Sequence, residues 1–311
     1  MEIKDILGFG AAGVKLIEQL SIMGGYIFKP RLTIANAKAT SKAIKLLKEE
    51  NENISSIEIN DGKILVKVEN DESLSLDIAN IVSQEVKKQE NINSVVLKTI
   101  DILKSSFAQD ININLEKAWT LNFIENCKFV SDEEMQNTWA RILADECTGK
   151  AKYSIKTLQI LKLMSKNDAE LFIKVASCAF NFGDLYVIVN FDDSRSIYGT
   201  NTIELLALND LGLIHESYKY LNIEKLKKEM LSDDKNCYFI ENTGKNDKSI
   251  SLYVISKSGI ELMNFIDNRR TFNDNELAKI FEIDSNSKIY VHEKTGKNKY
   301  IVKPKKIISI N

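Results

Sequence analysis

The chain has 311 residues, 44% of them hydrophobic and 28% charged, which is the balance of an ordinary globular protein and excludes a disordered one. A formal charge of −2 gives no global drive toward nucleic acid or acidic membranes. Cys127, Cys147, Cys178 and Cys237 form no C-x-x-C pair, so they read as reduced, buried thiols in a chain long enough to need no disulfide staples.

No targeting segment is expected. The stretch from Ile6 to Val14 is apolar, but Asp5 precedes it and Lys15 and Glu18 interrupt the apolar run after Val14. No run approaches the roughly 20 apolar residues of a membrane helix, and a cytoplasmic location is the expectation.

The first helix is predicted over residues 5–24, with Val14, Leu16, Ile17, Leu20 and Met23 on its apolar face. Beyond Pro30 a second, alanine- and lysine-rich helix spans 35–50. The period then changes. Ile57 and Ile59, then Ile64, Val66 and Val68, alternate around Asn60-Asp61-Gly62, a hairpin signal. A long helix comes next over 74–107, with a break predicted near Asn91.

The strongest local pattern is Val130 to Glu146. Ser131 and Glu134 fit a capping box, Val130 and Met135 a hydrophobic staple, and Gly149 a stop. Helices marked by Leu158, Leu161 and Met164, and by Ser165 with Asp168 at the start of the next, complete a helical core.

The last third mixes types. Residues 186–191 read as a strand, 202–211 as a short helix and 221–231 as an amphipathic helix. Residues 238–241 and 251–255 read as the two arms of a hairpin, and Ser256 as the cap of a further helix.

The stretch Phe129-Val-Ser-Asp-Glu-Glu-Met-Gln-Asn-Thr-Trp-Ala-Arg-Ile-Leu-Ala-Asp-Glu146 resembles the V-S-D-x-x-M-Q-x-x-W-A-R-I-L-A-x-E helix of an uncharacterised bacterial family, a domain of unknown function. Ser154, Lys156, Thr157, Leu158 and Leu161 are similar to its S-x-R-T-L-x-x-L stretch, with lysine for the usual arginine. Asp168-Ala169-Glu170-Leu171-Phe172 is similar to its D-A-x-x-F helix. The resemblance runs over about residues 5–265, and its specific part over the central 50 or so. It implies a setting among mobile-element and phage-defence genes and assigns no catalytic residue. The hairpin at 55–69 departs from it, since the family pattern implies helix there.

Several motifs have plainer readings. Gly8-Phe-Gly-Ala-Ala-Gly13 matches G-x-G-x-x-G, yet no buried strand precedes it and no carboxylate lies where the dinucleotide fingerprint needs one, so close helix packing explains the glycines. Trp139 and Glu146 share a helix face, with Arg141 turned about 160° from the tryptophan. A buried tryptophan with a rim carboxylate is the plain reading, and a partner-contacting cluster of Trp139, Arg141 and Glu146 the sharper one. His215 and His292 have no ligand partner at helical spacing, and Asp192-Asp193 reads as turn chemistry.

Leu205 to Ile214, with Val254-Ile-Ser-Lys-Ser-Gly-Ile-Glu-Leu262 further on, resembles the L-x-x-L-G-L-I … L-T-x-x-G-x-E-L frame of winged-helix domains. That resemblance implies a recognition helix ending at Leu211 and a wing over 237–255. The helix carries no lysine or arginine, and Glu204 and Asp210 would repel phosphate, so packing or protein contact is the favoured use. Lys245 and Lys248 in the wing, with Lys297, Lys299, Lys303, Lys305 and Lys306 nearer the end, are the residues that a nucleic-acid reading would use.

The fold expected is therefore mainly α: N-terminal helices with a β-hairpin insertion, a central helical core and a C-terminal winged-helix-like α+β module. The boundaries are 1–110 with the hairpin near 55–69, 111–182, 183–268, and a small β-rich tail over 269–311. The function expected is that of a non-enzymatic binding or assembly protein with a protein partner or a second copy of itself. The exposed parts of the 74–107 and 131–146 helices would supply the contacts. The alternatives are a nucleic-acid-binding regulator and a peripheral membrane protein anchored through residues 6–23. No catalytic residue, metal site or cofactor is expected.

Overall fold

The computed structural model describes residues 10–24, 54–60, 63–68, 72–105, 113–189, 196–296 and 299–310. The helix predicted over 35–50, the Asp192-Asp193 pair, Gly8 and Lys297 lie outside them. The chain divides into two compact units, Met1–Leu158 and Gln159–Asn311.

Among the described residues the first unit is helical apart from one hairpin. Helix α1 is Gly10–Gly24, and strands β1 (Ile54–Asn60) and β2 (Lys63–Val68) pair antiparallel with Asn60 opposite Lys63. Helix α2 then runs without interruption over Glu72–Ser105, about 51 Å at 1.5 Å per residue. The break expected at Asn91 is absent; the Asn91 side-chain Nδ2 instead donates to the Lys128 carbonyl at 2.9 Å. Ile92, Val95, Val96, Thr99, Ile100 and Leu103 recur at helical spacing and are buried, so the second half of α2 forms the core of this unit. Helices α3 (Lys117–Cys127) and α4 (Glu133–Thr148) pack on it, and α1 packs on α2 and α3 through buried Leu16, Ile17 and Leu20. Helix α5 (Ile155–Leu163) carries the boundary between the units.

Helix α4 starts one residue later than the capping box predicts. Asp132 is the N-cap, its Oδ1 accepting from the Met135 N–H at 2.9 Å, and Gly149 ends the helix in the left-handed region at φ 69°. Both Ser and Asp cap well, and here the Asp132 carboxylate takes the cap.

The second unit overturns the mainly α expectation. It is built on a nine-stranded antiparallel sheet. Its strands are β3 (Phe180–Phe182), β4 (Leu185–Val189), β5 (Ile214–Ile223), β6 (Lys228–Ser232), β7 (Asn236–Asn242), β8 (Lys248–Ile255), β9 (Ser287–Gly296), β10 (Lys299–Tyr300) and β11 (Lys306–Ile308). Their order is β10-β9-β7-β6-β3-β4-β8-β5, with β11 also on β9. Helices α6 (Lys166–Ala176), α7 (Thr202–Asp210), α8 (Lys257–Leu262) and α9 (Asp274–Ile280) accompany it. Ser165 with Asp168, Asn201 with Glu204 and Asn273 with Glu276 close capping boxes on three of them.

The helix predicted over 221–231 is instead the end of β5, a turn and β6. Leu221 and Ile223 are buried while Asn222 is exposed, the period of two that pairing with β8 imposes, and Leu226 takes a positive φ of 60° in the turn. The predicted hairpin of 238–241 with 251–255 does not form either. β7 pairs with β6 and β9, and β8 with β4 and β5, so three strands separate them. The local hairpin is β6–β7, closed by Asp233, whose Oδ1 accepts from the Lys235 and Asn236 amides at 2.7 Å each. With the wing dissolved into two distant strands, the winged-helix module is overturned as well. The region beyond 269 supplies β9 to the main sheet through its pairing with β7. The aromatic centre of this core is Phe180, which meets Phe281 at 5.3 Å, Phe272 at 5.5 Å and Tyr238 at 5.8 Å between ring centroids.

Among the described residues no helix is long and apolar enough to cross a membrane.

Candidate functional site

Helix α4 carries the pattern on which the family resemblance rests, and its polar residues brace neighbouring backbone. Gln136 is buried, accepts from Ser94 Oγ of α2 at 2.6 Å and donates to the Val130 carbonyl at 2.9 Å. Trp139 is fully buried, edge-on to Phe123 at 5.3 Å, and its indole N–H has no hydrogen-bond partner. Phe123 in turn stacks on Trp119, whose Nε1 donates to the Tyr153 carbonyl at 2.7 Å.

The two carboxylates at the end of α4 hold the turn beyond it. Asp145 accepts from the Tyr153 hydroxyl at 3.0 Å and pairs with Lys150 at 3.7 Å. Glu146 accepts from the Tyr153 N–H at 3.2 Å and from Lys152 Nζ at 2.7 Å. Of the three residues expected from sequence to contact a partner, Trp139 is enclosed in the core, Glu146 is largely covered and paired, and Arg141 is half-buried. The arrangement fixes a turn and brings no reactive group into the open.

Lys245 and Lys248 differ from each other. Lys245 is exposed, whereas Lys248 is half-buried and donates to the Glu282 carbonyl; burial lowers its pKa. The Leu211–Ile214 and Ser256–Gly259 segments, which do not belong to a winged helix, are joined by local hydrogen bonds. The Ser256 N–H donates to the Leu213 carbonyl at 2.9 Å, its hydroxyl donates to the Gly212 carbonyl at 2.6 Å, and the hydroxyl oxygen accepts from the Gly259 N–H at 3.1 Å. Glu204, the acidic residue of α7, accepts from Thr200 and the Asn201 N–H, and the Thr200 bond leads in holding its pKa low.

Nucleophiles and metal ligands are equally dispersed. All four cysteines are free and buried. Desolvation pushes the Cys147 thiol up to about 12 and Cys127 higher still. Among the described residues no group of three histidine, cysteine, aspartate or glutamate side chains could hold a metal ion.

In the first half of α2, which also contacts β2, Asp77, Asn80, Ile81, Gln84 and Glu85 are not buried, and these residues carry no sequence motif that would single them out. Ile81 is 55% exposed, and one and two turns on along the same face come Gln84 and Lys88. Beside them a hollow of about 280 Å³ is lined by Gln84, Lys87, Lys88, Asn91, Lys128, Phe129 and Ser131. Phe129 is 54% exposed, with the Lys128 and Lys88 ammonium groups 5.3 and 5.5 Å from its ring centroid. Glu85 pairs with Lys88, and Glu125 with Lys128 at 2.6 Å, so most of the cationic charge is answered within the surface. An exposed apolar residue beside a long helix was the available signal, but which side of α2 stays open depends on the packing of α3 and α4.

No curated protein and no solved structure matches the chain. A family model does match, over residues 78–277, a span that begins inside α2, so the resemblance expected from residue 5 is shown only from residue 78 on. The chain belongs to that family, described as protein of unknown function, DUF2806.

Proposed function

We propose that this chain is a non-enzymatic binding or assembly protein that associates with a second copy of itself through the outer face of α2. The observation that carries the reading is the pair Ile81 and Phe129, both more than half exposed, one on the outer face of α2 and the other on the rim of the hollow beside it. Large apolar side chains left in water beside a shaped, charge-balanced hollow gain by burial against a partner, about 25 cal/mol per Å² of apolar area removed. The internally paired lysines suit a protein surface better than a polyphosphate, which would need unanswered cations. The setting implied by the family resemblance, bacterial phage defence, belongs to this proposal.

The test is the solution mass of the full chain across micromolar concentrations, alongside the double variant Ile81→Glu/Phe129→Glu. A mass that rises with concentration in the wild type and not in the variant supports the proposal. A strict monomer throughout refutes it.

A further inference from the structure

The last strands of the second unit carry a feature independent of the surface on α2. Residues 294–311 contain six lysines and no aspartate or glutamate. Among the described residues this stretch runs antiparallel to β9: β10 pairs with it through Tyr300 opposite Lys294, and β11 through Ile307 opposite Tyr290. Between these strands the Ile301 N–H donates to the Glu293 carbonyl at 2.9 Å and the Lys305 N–H to the Val291 carbonyl at 2.8 Å. Four residue steps, about 13 Å of extended chain, are thus fastened across two steps of β9, about 7 Å. The surplus bows out as an arch, Val302-Lys303-Pro304, with a hydrogen bond to the sheet at each foot.

The arch holds apolar side chains and cations together in water. Val302 is 84% exposed and Ile301, at one foot, 46%. Val302 and Pro304 border a hollow over Phe239 and Tyr290, so the arch rises on the face of β9 that carries Tyr290. Ile307, the register partner of Tyr290, shares that face and is 55% exposed. Lys228 is answered by Glu241 and Lys306 by Asp274. Lys299, Lys303 and Lys305 are exposed, and among the described residues none of them has a carboxylate within ion-pairing distance. This contrasts with the surface on α2, where the lysines are paired.

Anionic groups lying over a hydrocarbon layer satisfy both kinds of side chain at once. The phosphates of a nucleic acid would answer the lysines but leave Val302 and Ile307 in water, because a branched aliphatic offers no face on which a base stacks. Tyr300, which has such a face, packs its ring against Phe239 and His292. Protein interfaces are depleted in lysine and enriched in arginine, and residues 294–311 contain no arginine. We propose that the arch docks the second unit on the surface of a bilayer containing anionic lipids. Val302 enters the boundary between head groups and acyl chains, and Lys299, Lys303 and Lys305 lie among the lipid phosphates. So few apolar side chains make the attachment reversible, and its dependence on lysines makes it sensitive to salt.

Flotation of the full chain with phosphatidylcholine vesicles, plain or with about one-third phosphatidylserine, tests this. Binding is expected with the anionic vesicles and is expected to weaken as salt rises. Lys303→Gln/Lys305→Gln should weaken it about 25-fold, near fivefold for each lysine, and Val302→Ser about tenfold. The three positions are exposed, so these variants keep the fold. Val302→Cys carrying an environment-sensitive fluorophore gives a second readout, since the four native thiols are buried and leave the label on one site. Its emission should shift to the blue on anionic vesicles. No flotation with anionic vesicles at millimolar lipid and low salt, equal flotation with both compositions, or wild-type affinity in Val302→Ser overturns the proposal. Salt-sensitive binding to duplex DNA or single-stranded RNA without flotation, lost in the lysine variant and kept in Val302→Ser, overturns it in favour of a nucleic acid. A concentration-dependent mass that Val302→Ser abolishes overturns it in favour of a protein contact.

Discussion

Replacing Gly259 by alanine sets two physical effects of opposite sign against each other. Gly259 lies inside α8 with ordinary helical geometry, so propensity alone favours alanine by about 1 kcal/mol. A Cβ at this position, however, would stand 2.4 Å from the Leu213 carbonyl oxygen and 2.6 Å from Ile255 Cγ2. Neither neighbour can yield freely, because Leu213 O already accepts the Ser256 N–H and Ile255 is buried in β8 opposite Ile214. The helix must lift, straining the two hydrogen bonds that tie Ser256 to Leu213 and Gly212. Overpacking costs about 1–3 kcal/mol, and two weakened hydrogen bonds add about 0.5–1.5 kcal/mol each. After the propensity gain, a net loss of about 1–5 kcal/mol is expected. Urea unfolding monitored by far-UV circular dichroism measures it, with Lys257→Ala on the exposed side of the same helix as the control, expected to change stability by less than about 0.5 kcal/mol. A Gly259→Ala protein as stable as the wild type, or more so, would refute the close contact of α8 with the β5 entry.

The remaining predictions concern the first unit. Trp139→Ala should cost about 3–5 kcal/mol as a core cavity. Trp139→Phe should cost less than half as much, because it also removes an unpartnered buried N–H; chemical denaturation of the two variants gives the ratio. Alkaline pH should destabilise the fold. The Cys147 thiol ionises near 9 when exposed but is held protonated to about 12 by burial, so the unfolded chain binds fewer protons between those values. Its contribution is complete below pH 9 and is lost as pH rises through the window, and Cys147→Ala should flatten that part of the stability profile.

The features legible in the sequence were those that local chemistry decides. The cap of Ser165 with Asp168, the helix after Asn201, and the Asn60–Lys63 hairpin register arise from caps, turns and periods that neighbours in the chain fix. The sheet of the second unit depends on partners far apart in sequence, such as Val187 with Val254 and Cys237 with His292, and no period announces them. The stretch from Leu221 to Leu231 spaces its apolar residues as a helix would, yet pairing with β8 and β7 overrode that preference.

Two turns of the second unit are also encoded locally. Gly183-Asp184 joins β3 to β4 with a positive φ of 61° at the glycine, and Asp233 to Asn236 closes β6–β7. The Leu-Gly-Leu-Ile and Ser-x-x-Gly segments meet in space without making a winged helix. They form a packing joint that a large sheet uses as readily as a small module. The candidate sites were less legible still. Phe239, Tyr290 and His292 become neighbours only through strand register, and Lys88 stands over the Phe129 ring only through tertiary packing.

The most direct test of the binding and assembly role is sedimentation equilibrium of the full chain over a wide micromolar range, run with Ile81→Glu/Phe129→Glu at matched stability. The expected result is a weight-average mass that climbs toward twice the 35.3 kDa chain mass in the wild type and stays at the monomer in the variant. A monomer in both, or the same association in both, would contradict it.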